Sequence, residues 1–275
     1  MNYRHAYHAG NFADVMKHVA LARIVTYLQR KEKAFRIYDT HAGTGIYDLN
    51  SEQAGRSEEW KGGVGAVLEA TKSPKITELL QPWLGRVKAE TEGFYPGSPR
   101  LVRGLLRKQD RLSVYELHAE DAAALTTLFK GDYQVRVNAI DGWLVPGAHI
   151  PPKEARGAML IDPPFEREGE YDRMIEALQH ARRRWPGGTV VLWYPVKKRA
   201  HTDEWLGTLK SLGFPDLYSA ELYIRAPWST ARLNGSGLVI ANAPFTLESE
   251  LRILLPWLAG VMSAGKGSGW RIEKL

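Results

Sequence analysis

Phe35-Arg36-Ile37-Tyr38-Asp39-Thr40-His41-Ala42-Gly43-Thr44-Gly45 is the stretch on which the fold turns. Phe35 to Asp39 has the length and apolar alternation of a short strand, and the chain then enters a glycine turn. A glycine-rich turn directly after a strand opens a nucleotide-binding βα unit, because residues without a Cβ let backbone approach a ligand closely. Position 48 is Asp, so the third glycine of a dinucleotide fingerprint is absent. A cofactor without phosphates, such as S-adenosylmethionine, fits this turn better than NAD or FAD.

Upstream, Asn11 is a candidate N-cap, with Asp14 in the first turn. Val15, Val19, Ala22 and Leu28 keep helical spacing, and the helix runs out in the charged string Gln29 to Lys33. Residues 1–10 carry aromatic and basic side chains with no apolar period and read as an extended arm.

Downstream, a carboxylate at the end of a second strand is expected about 20 residues after the turn. None arrives there. Residues 50–96 are polar and helical in pattern, punctuated by Gly62-Gly63, Pro74, Pro82 and Tyr95-Pro96-Gly97. The next strand candidate is Leu112 to Glu116. Residues 50–96 therefore read as a helical insertion into a frame made of 1–49 and 97–275. From there strands and helices alternate: helix 121–129, strand 135–140, strand 158–161, helix 171–184, strand 189–193, helix 203–212, strands 219–224 and 237–241. Alternation predicts a parallel sheet covered on both faces. The last two strands, with no helix between them, are expected as an antiparallel hairpin at one edge. The tail Gly265 to Gly269 has a flexible composition.

Asp162-Pro163-Pro164-Phe165 follows the buried strand Ala158 to Ile161. This tetrapeptide suits methylation of an adenine amine. The N6 lone pair is delocalised into the ring and must be released. The Asp162 carboxylate can accept one N–H and the Pro163 carbonyl the other. The proline rings fix the direction of that carbonyl. Phe165 offers a face for the base. A Pro-Pro turn that merely ends a strand is the plainer alternative. The C-terminal end of a mid-sheet strand, where open α/β sheets bind ligands, favours chemistry. Glu116 and Asp141 close the second and third strands, where carboxylates can hold ribose hydroxyls and an adenine amine; either could equally be a solvated loop acid.

There are no cysteines, which excludes disulfides and thiolate chemistry. His5, His8, His18 and His41 match no zinc spacing, so no metal is expected. No apolar run is long enough for a membrane span or a signal peptide, so a cytoplasmic protein is expected. Thirty-seven Lys and Arg against 31 Asp and Glu leave a net charge of +6, which suits a polyanionic partner. Arg182-Arg183-Arg184 and Lys197-Lys198-Arg199, with Trp185, Trp193 and Tyr194 between them, could form a nucleic-acid surface or simply a solvated face.

Tyr3-Arg4-His5, His8-Ala9-Gly10-Asn11, Ala13-Asp14-Val15, Lys17-His18, Asp39 to Gly43 and Asp162 to Glu166 together resemble the RlmJ family along essentially the whole chain. The N-terminal string is the most specific part. Asp162-Pro163-Pro164-Phe165 is shared with many amino-methyltransferases, including those acting on DNA. The resemblance implies a Rossmann-like class I S-adenosylmethionine-dependent methyltransferase fold with an inserted helical subdomain, and methylation of one adenine N6 in bacterial 23S ribosomal RNA. It places Asp162 as the catalytic acid, His18, His41, Ser98, Glu116, Asp141 and Gly142 at the cofactor, and Tyr3 at the substrate RNA. A monomer is expected. Phe165 stands where Tyr is also common, and Phe12 where a polar residue is usual. A DNA adenine methyltransferase and a non-catalytic RNA-binding protein are the alternatives.

Overall fold

A computed structural model describes residues 4–226 and 232–275. Its frame is an eight-stranded sheet: β1 (Arg36–Asp39), β4 (Arg111–Tyr115), β5 (Val135–Asn138), β6 (Gly157–Ile161), β7 (Thr189–Val196), β8 (Leu217–Tyr223), β9 (Gly235–Ala241) and β10 (Gly269–Lys274). A separate two-stranded ribbon joins β2 (Ile46–Asp48) to β3 (Phe94–Pro96). The sheet order is β10-β8-β9-β7-β6-β1-β4-β5. Strands β5, β4, β1, β6 and β7 are mutually parallel, and β9 runs antiparallel between β7 and β8.

The expected antiparallel pairing of the two late strands is present, but not as an edge hairpin. β9 inserts beside β7, and β10 covers the far side of β8. The glycine tail is the turn that makes this possible. Ala226 N–H donates to Lys266 O, and Gly267 takes φ of +83° before the chain enters β10. A composition that looks flexible is used for backbone angles only glycine adopts readily.

Alternating residues of the buried strands feed two cores. Ala158 and Leu160 of β6 join Ile37, Leu112 and Val114 on one face, beneath α1 (Phe12–Leu28), α5 (Ser98–Leu105), α6 (Ala119–Leu128) and α10 (Leu247–Val261). Met159 and Ile161 face the other way, beneath α8 (Glu170–Arg184) and α9 (Arg199–Ser211). Not expected from the sequence is α10, although Leu247, Leu251, Leu254, Leu255 and Leu258 are all buried at helical spacing. The β5–β6 connection holds only a 3-10 turn at Gly142–Leu144 and the four-residue α7 (Val145–Ala148).

Between β2 and β3 the chain forms α2 (Glu52–Ser57), α3 (Ala66–Glu69) and α4 (Pro74–Val87). Ile76, Leu79, Leu80 and Trp83 of α4 belong to the same apolar cluster as α1 and α10. The inserted helices thus share the core of the sheet domain and have no separate one. The described part of the N-terminal arm is also not extended: His5–Tyr7 form a 3-10 turn, and the Arg4 guanidinium reaches Asp121 at 3.1 Å and also pairs with Glu120. The arm lacks apolar periodicity because polar contacts, not a buried stripe, dock it.

Candidate active site

Asn11 caps α1 as its position suggests, its Oδ1 accepting from Ala13 N at 2.9 Å and Asp14 N at 3.0 Å. This places Asp14, Lys17 and His18 on the turn of α1 that faces the C-terminal ends of the strands. Those ends, α1 and the start of α5 enclose a cavity of about 260 Å³. His18, His41, Ser98, Glu116, Asp141, Gly142, Asp162, Pro163 and Phe165 all line it. Tyr3 lies outside the described residues.

The glycine turn after β1 sits beneath the cavity. Gly43 has φ of +60° and Gly45 of +81°, and a Cβ on Gly43 would meet the Tyr47 hydroxyl at 2.2 Å. Glu116 spans from β4 to this turn: its Oε2 accepts from Gly43 N at 2.8 Å and its Oε1 from His118 N at 2.8 Å. Burial pushes its carboxyl up. Asp141 Oδ1 accepts from Trp143 N at 3.0 Å, which leaves Oδ2 for a ligand. Gly142 lies so close to β1 that a Cβ there would stand 1.8 Å from Thr40 O.

His18 is 1% exposed, stacks on Tyr95 and shares a 2.8 Å hydrogen bond between its Nδ1 and the Tyr95 hydroxyl. Burial pushes it down to about 3, so it is neutral at ordinary pH. His41 contacts the Thr40 hydroxyl through Nδ1 at 2.7 Å and meets Trp143 edge-on; burial pushes it down to about 4. Ser98 begins α5 and is buried.

Two carboxylates and one lysine form a chain that sequence alone does not reveal. Lys17 Nζ lies 2.9 Å from Asp14 Oδ1 and 2.5 Å from Asp162 Oδ2, with its side chain 4% exposed. Asp14 also accepts from His5 Nε2 at 2.9 Å and Gly10 N at 3.0 Å. Burial would raise Asp14 and lower Lys17, but the opposite charges outweigh it in both. Asp14 is held well below the usual carboxylate range by His5 and Lys17, and Lys17 well above its own by Asp14 and Asp162. Asp39, at the end of β1, is different: its two oxygens have no hydrogen-bond partner among the described residues. Burial pushes it up to about 7, moderated by the nearby Ser98 hydroxyl. Its place just before the glycine turn was the signal for it.

Phe165 adopts φ of +54°, a left-handed conformation that costs a non-glycine residue roughly 1–2 kcal/mol. Its ring packs 4.9 Å from Tyr171 and 5.7 Å from Trp193. The arginine triplet is largely consumed by the fold. Arg182 pairs with Asp216 at 2.9 Å, Arg184 donates to Ile150 O, and Trp185 is buried with its indole N–H on Ala155 O. Lys197, in contrast, lines the cavity.

The donor set suits an adenosyl sulfonium. Acceptors for hydroxyls and an amine stand at Glu116 and Asp141 in the cavity wall, with the buried Asp39 carboxylate behind it. The carboxylates of the cavity wall outnumber its cations, Lys17, Arg167, Arg173 and Lys197, which disfavours a pyrophosphate. Among the described residues no group of side chains could hold a metal ion, and no helix is long and apolar enough to cross a membrane.

A family model described as ribosomal RNA large subunit methyltransferase D, RlmJ, matches residues 32–274. Ribosomal RNA large subunit methyltransferase J of Haemophilus influenzae is 35% identical, over 99% of this chain and 98% of its own length. The protein of the same description from Escherichia coli K12 is 35% identical, over 97% and 96%. A solved structure of a Legionella pneumophila protein superposes with a TM-score of 0.87 at 35% identity, covering 97% of this chain and 98% of that one. A probable spermidine synthase from Corynebacterium glutamicum, at 14% identity and a TM-score of 0.50, shares the fold; the match covers 96% of this chain and 75% of that one.

Proposed function

Because the chain belongs to the RlmJ family of ribosomal RNA large-subunit methyltransferases, we propose that it methylates the exocyclic N6 of one adenine in 23S ribosomal RNA, with S-adenosylmethionine as donor. The observation that carries this reading is the Asp162 carboxylate, which stands at the end of β6 in the cavity with Oδ2 held by Lys17 at 2.5 Å.

With Oδ2 pinned, Oδ1 is the oxygen that accepts an N–H of the target amine. The Pro163 carbonyl accepts the second N–H. Two acceptors on opposite sides draw the nitrogen from planar toward tetrahedral, and its lone pair becomes available for attack. Lys17 holds the carboxylate in one orientation without contacting the base. The strained Phe165 and its neighbour Trp193 border the space where an unstacked base would lie.

When bound, S-adenosylmethionine would supply a sulfonium methyl with a neutral thioether as leaving group, and the proton that the methylated amine releases would pass by way of Asp162 Oδ1 to water. Glu116 would hold its ribose hydroxyls and Asp141 its adenine amine, with the Gly43 turn and Gly142 giving the room. His18 and His41, both neutral, add no repulsion toward a cationic ligand.

The test is Asp162→Ala, assayed with labelled donor on transcribed 23S ribosomal RNA and by nucleoside mass spectrometry. The expected result is loss of N6-methyladenosine with donor affinity within about two-fold of the unaltered protein. The loss should lie in kcat, since the carboxylate acts on the target amine. Full turnover by the alanine variant, or a methyl group on another atom in the unaltered protein's product, overturns the assignment.

A further inference from the structure

A second cavity, of about 380 Å³, opens on the sheet and shares no lining residue with the transfer cavity. It exists because the β5–β6 connection supplies only a short turn and the four-residue α7 where a crossover helix would cover β4 and β5. The register sets Arg36 beside Arg111, Tyr38 beside Ser113, and Ser113 beside Arg136. Period-two alternation puts all of these on one face of three neighbouring strands.

The residues lining this face include Arg36, Arg111, Arg136, His149 and Lys153, and no carboxylate. Arg36 is engaged by Glu154 at 2.9 Å, and Arg111 lies over the exposed Tyr133 ring at 5.4 Å. Arg136 and Lys153 are exposed, and neither side chain forms a hydrogen bond or ion pair among the described residues. The floor is rigid: the Tyr38 hydroxyl donates to His149 O at 2.9 Å, and the Tyr115 hydroxyl meets His149 Nδ1 at 2.8 Å. The transfer cavity differs: its carboxylates, among them Asp14, Glu116, Asp141 and Asp162, outnumber its cations Lys17, Arg167, Arg173 and Lys197.

We propose that this open basic face is a docking surface for the phosphate backbone of the substrate RNA, outside the nucleotide that is methylated. The inference rests on the ribosomal RNA reading above. Two features favour RNA over a small anion. The cations are spread across three strands instead of converging on one point, as a polyanion needs. The face is also tied to the transfer site by one segment: Asp141 to Trp143 line the cavity, and His149 to Lys153 line the face. Arg36 opens β1 on this face, and His41, two residues beyond the strand's end at Asp39, lines the transfer cavity.

The experiment compares Arg136→Gln with Lys153→Gln as a double variant against the intact chain, using transcribed 23S ribosomal RNA. Its control, Lys75→Gln with Lys88→Gln, removes the same charge from the exposed ends of α4. The double variant should raise KM for RNA at least five-fold with kcat within two-fold. The slope of log KM against log salt should fall by about 1.5, since each phosphate contact contributes about 0.7–0.9. The control should leave both unchanged. Unchanged KM and slope in the double variant, or an equal rise in the control, overturns the docking surface. Inorganic phosphate that restores nothing while RNA affinity drops, read by anisotropy, supports the polyanion over a free-anion site; phosphate bound tightly with RNA affinity unaltered overturns it. Failure of the enzyme reading is distinguishable, because the intact protein would then bind RNA through this face and transfer no methyl group.

Discussion

Replacing Lys17 by methionine keeps the length of the side chain and removes the charge that two carboxylates share. Lys17 Nζ sits 2.9 Å from Asp14 and 2.5 Å from Asp162. At an effective dielectric near 20 each contact is worth roughly 6 kcal/mol of Coulomb attraction. Desolvation of three buried charges cancels most of it, so the pair is not a source of large net stability. Removing one partner is another matter: the desolvated carboxylate remains without its counter-charge, and such deletions cost about 3–5 kcal/mol. Asp14 keeps His5 and the Gly10 N–H after the change, which puts the expected loss near 3 kcal/mol. For a chain of 275 residues that is a fall in Tm of about 6–12 °C. Urea unfolding of Lys17→Met, Asp14→Asn and the double variant measures it. The double variant should recover about 1–2 kcal/mol relative to the sum of the singles, because it removes the charge that was left unpaired. A Lys17→Met loss below about 1 kcal/mol, together with additive singles, would refute the paired-charge account.

Two further outcomes follow from the same geometry. Glu116→Ala and Asp141→Ala should each weaken S-adenosylmethionine binding about ten-fold, or about 1.4 kcal/mol, in calorimetric titration; unchanged affinity in both would remove the strand-end carboxylates from the cofactor site. His18 is held down to about 3, below the roughly 6.5 of an unfolded histidine, so the unfolded chain takes up a proton that the native one refuses as pH falls below 6.5. Its contribution is complete above pH 6.5 and is lost at about 1.4 kcal/mol per pH unit on the way down; His18→Gln should flatten the stability profile between pH 6.5 and 4.5 by that slope, and parallel profiles would contradict it.

The βα frame was legible because its strands are short apolar runs whose chemistry sits at their C-terminal ends. Asp39, Glu116, Asp141 and Asp162 each follow or close such a run, and the register brings those ends together. The Lys17–Asp162 pair was not legible. Its partners are 145 residues apart, and nothing local distinguishes Lys17 from a surface lysine. β10 was hidden by its glycines, and α10 by Pro256 inside an otherwise regular leucine spacing. The arginine triplet misled in the opposite sense: its charge looked available, but the fold spends it on Asp216 and on carbonyls.

The inserted helices explain how charges come to be buried on α1 at all. An amphipathic helix lying on a sheet exposes half its circumference, where Asp14 and Lys17 would be solvated and weakly coupled. In this fold α1 has the sheet and α5 on one side and α4 and α10 on the other, and nearly every residue from Phe12 to Val25 is buried. The β2–β3 ribbon returns the chain so that Tyr95 reaches His18 from the insertion. The insertion therefore turns the first helix into a core element and closes water away from the turn that carries Asp14, Lys17 and His18. In that low-dielectric setting Lys17 can fix a single oxygen of Asp162, whereas a solvated lysine would exchange among rotamers and leave the carboxylate free to turn. The helical segment need not touch RNA or cofactor to serve the transfer reaction. Its contribution is to make the position of one carboxylate oxygen depend on a packed core.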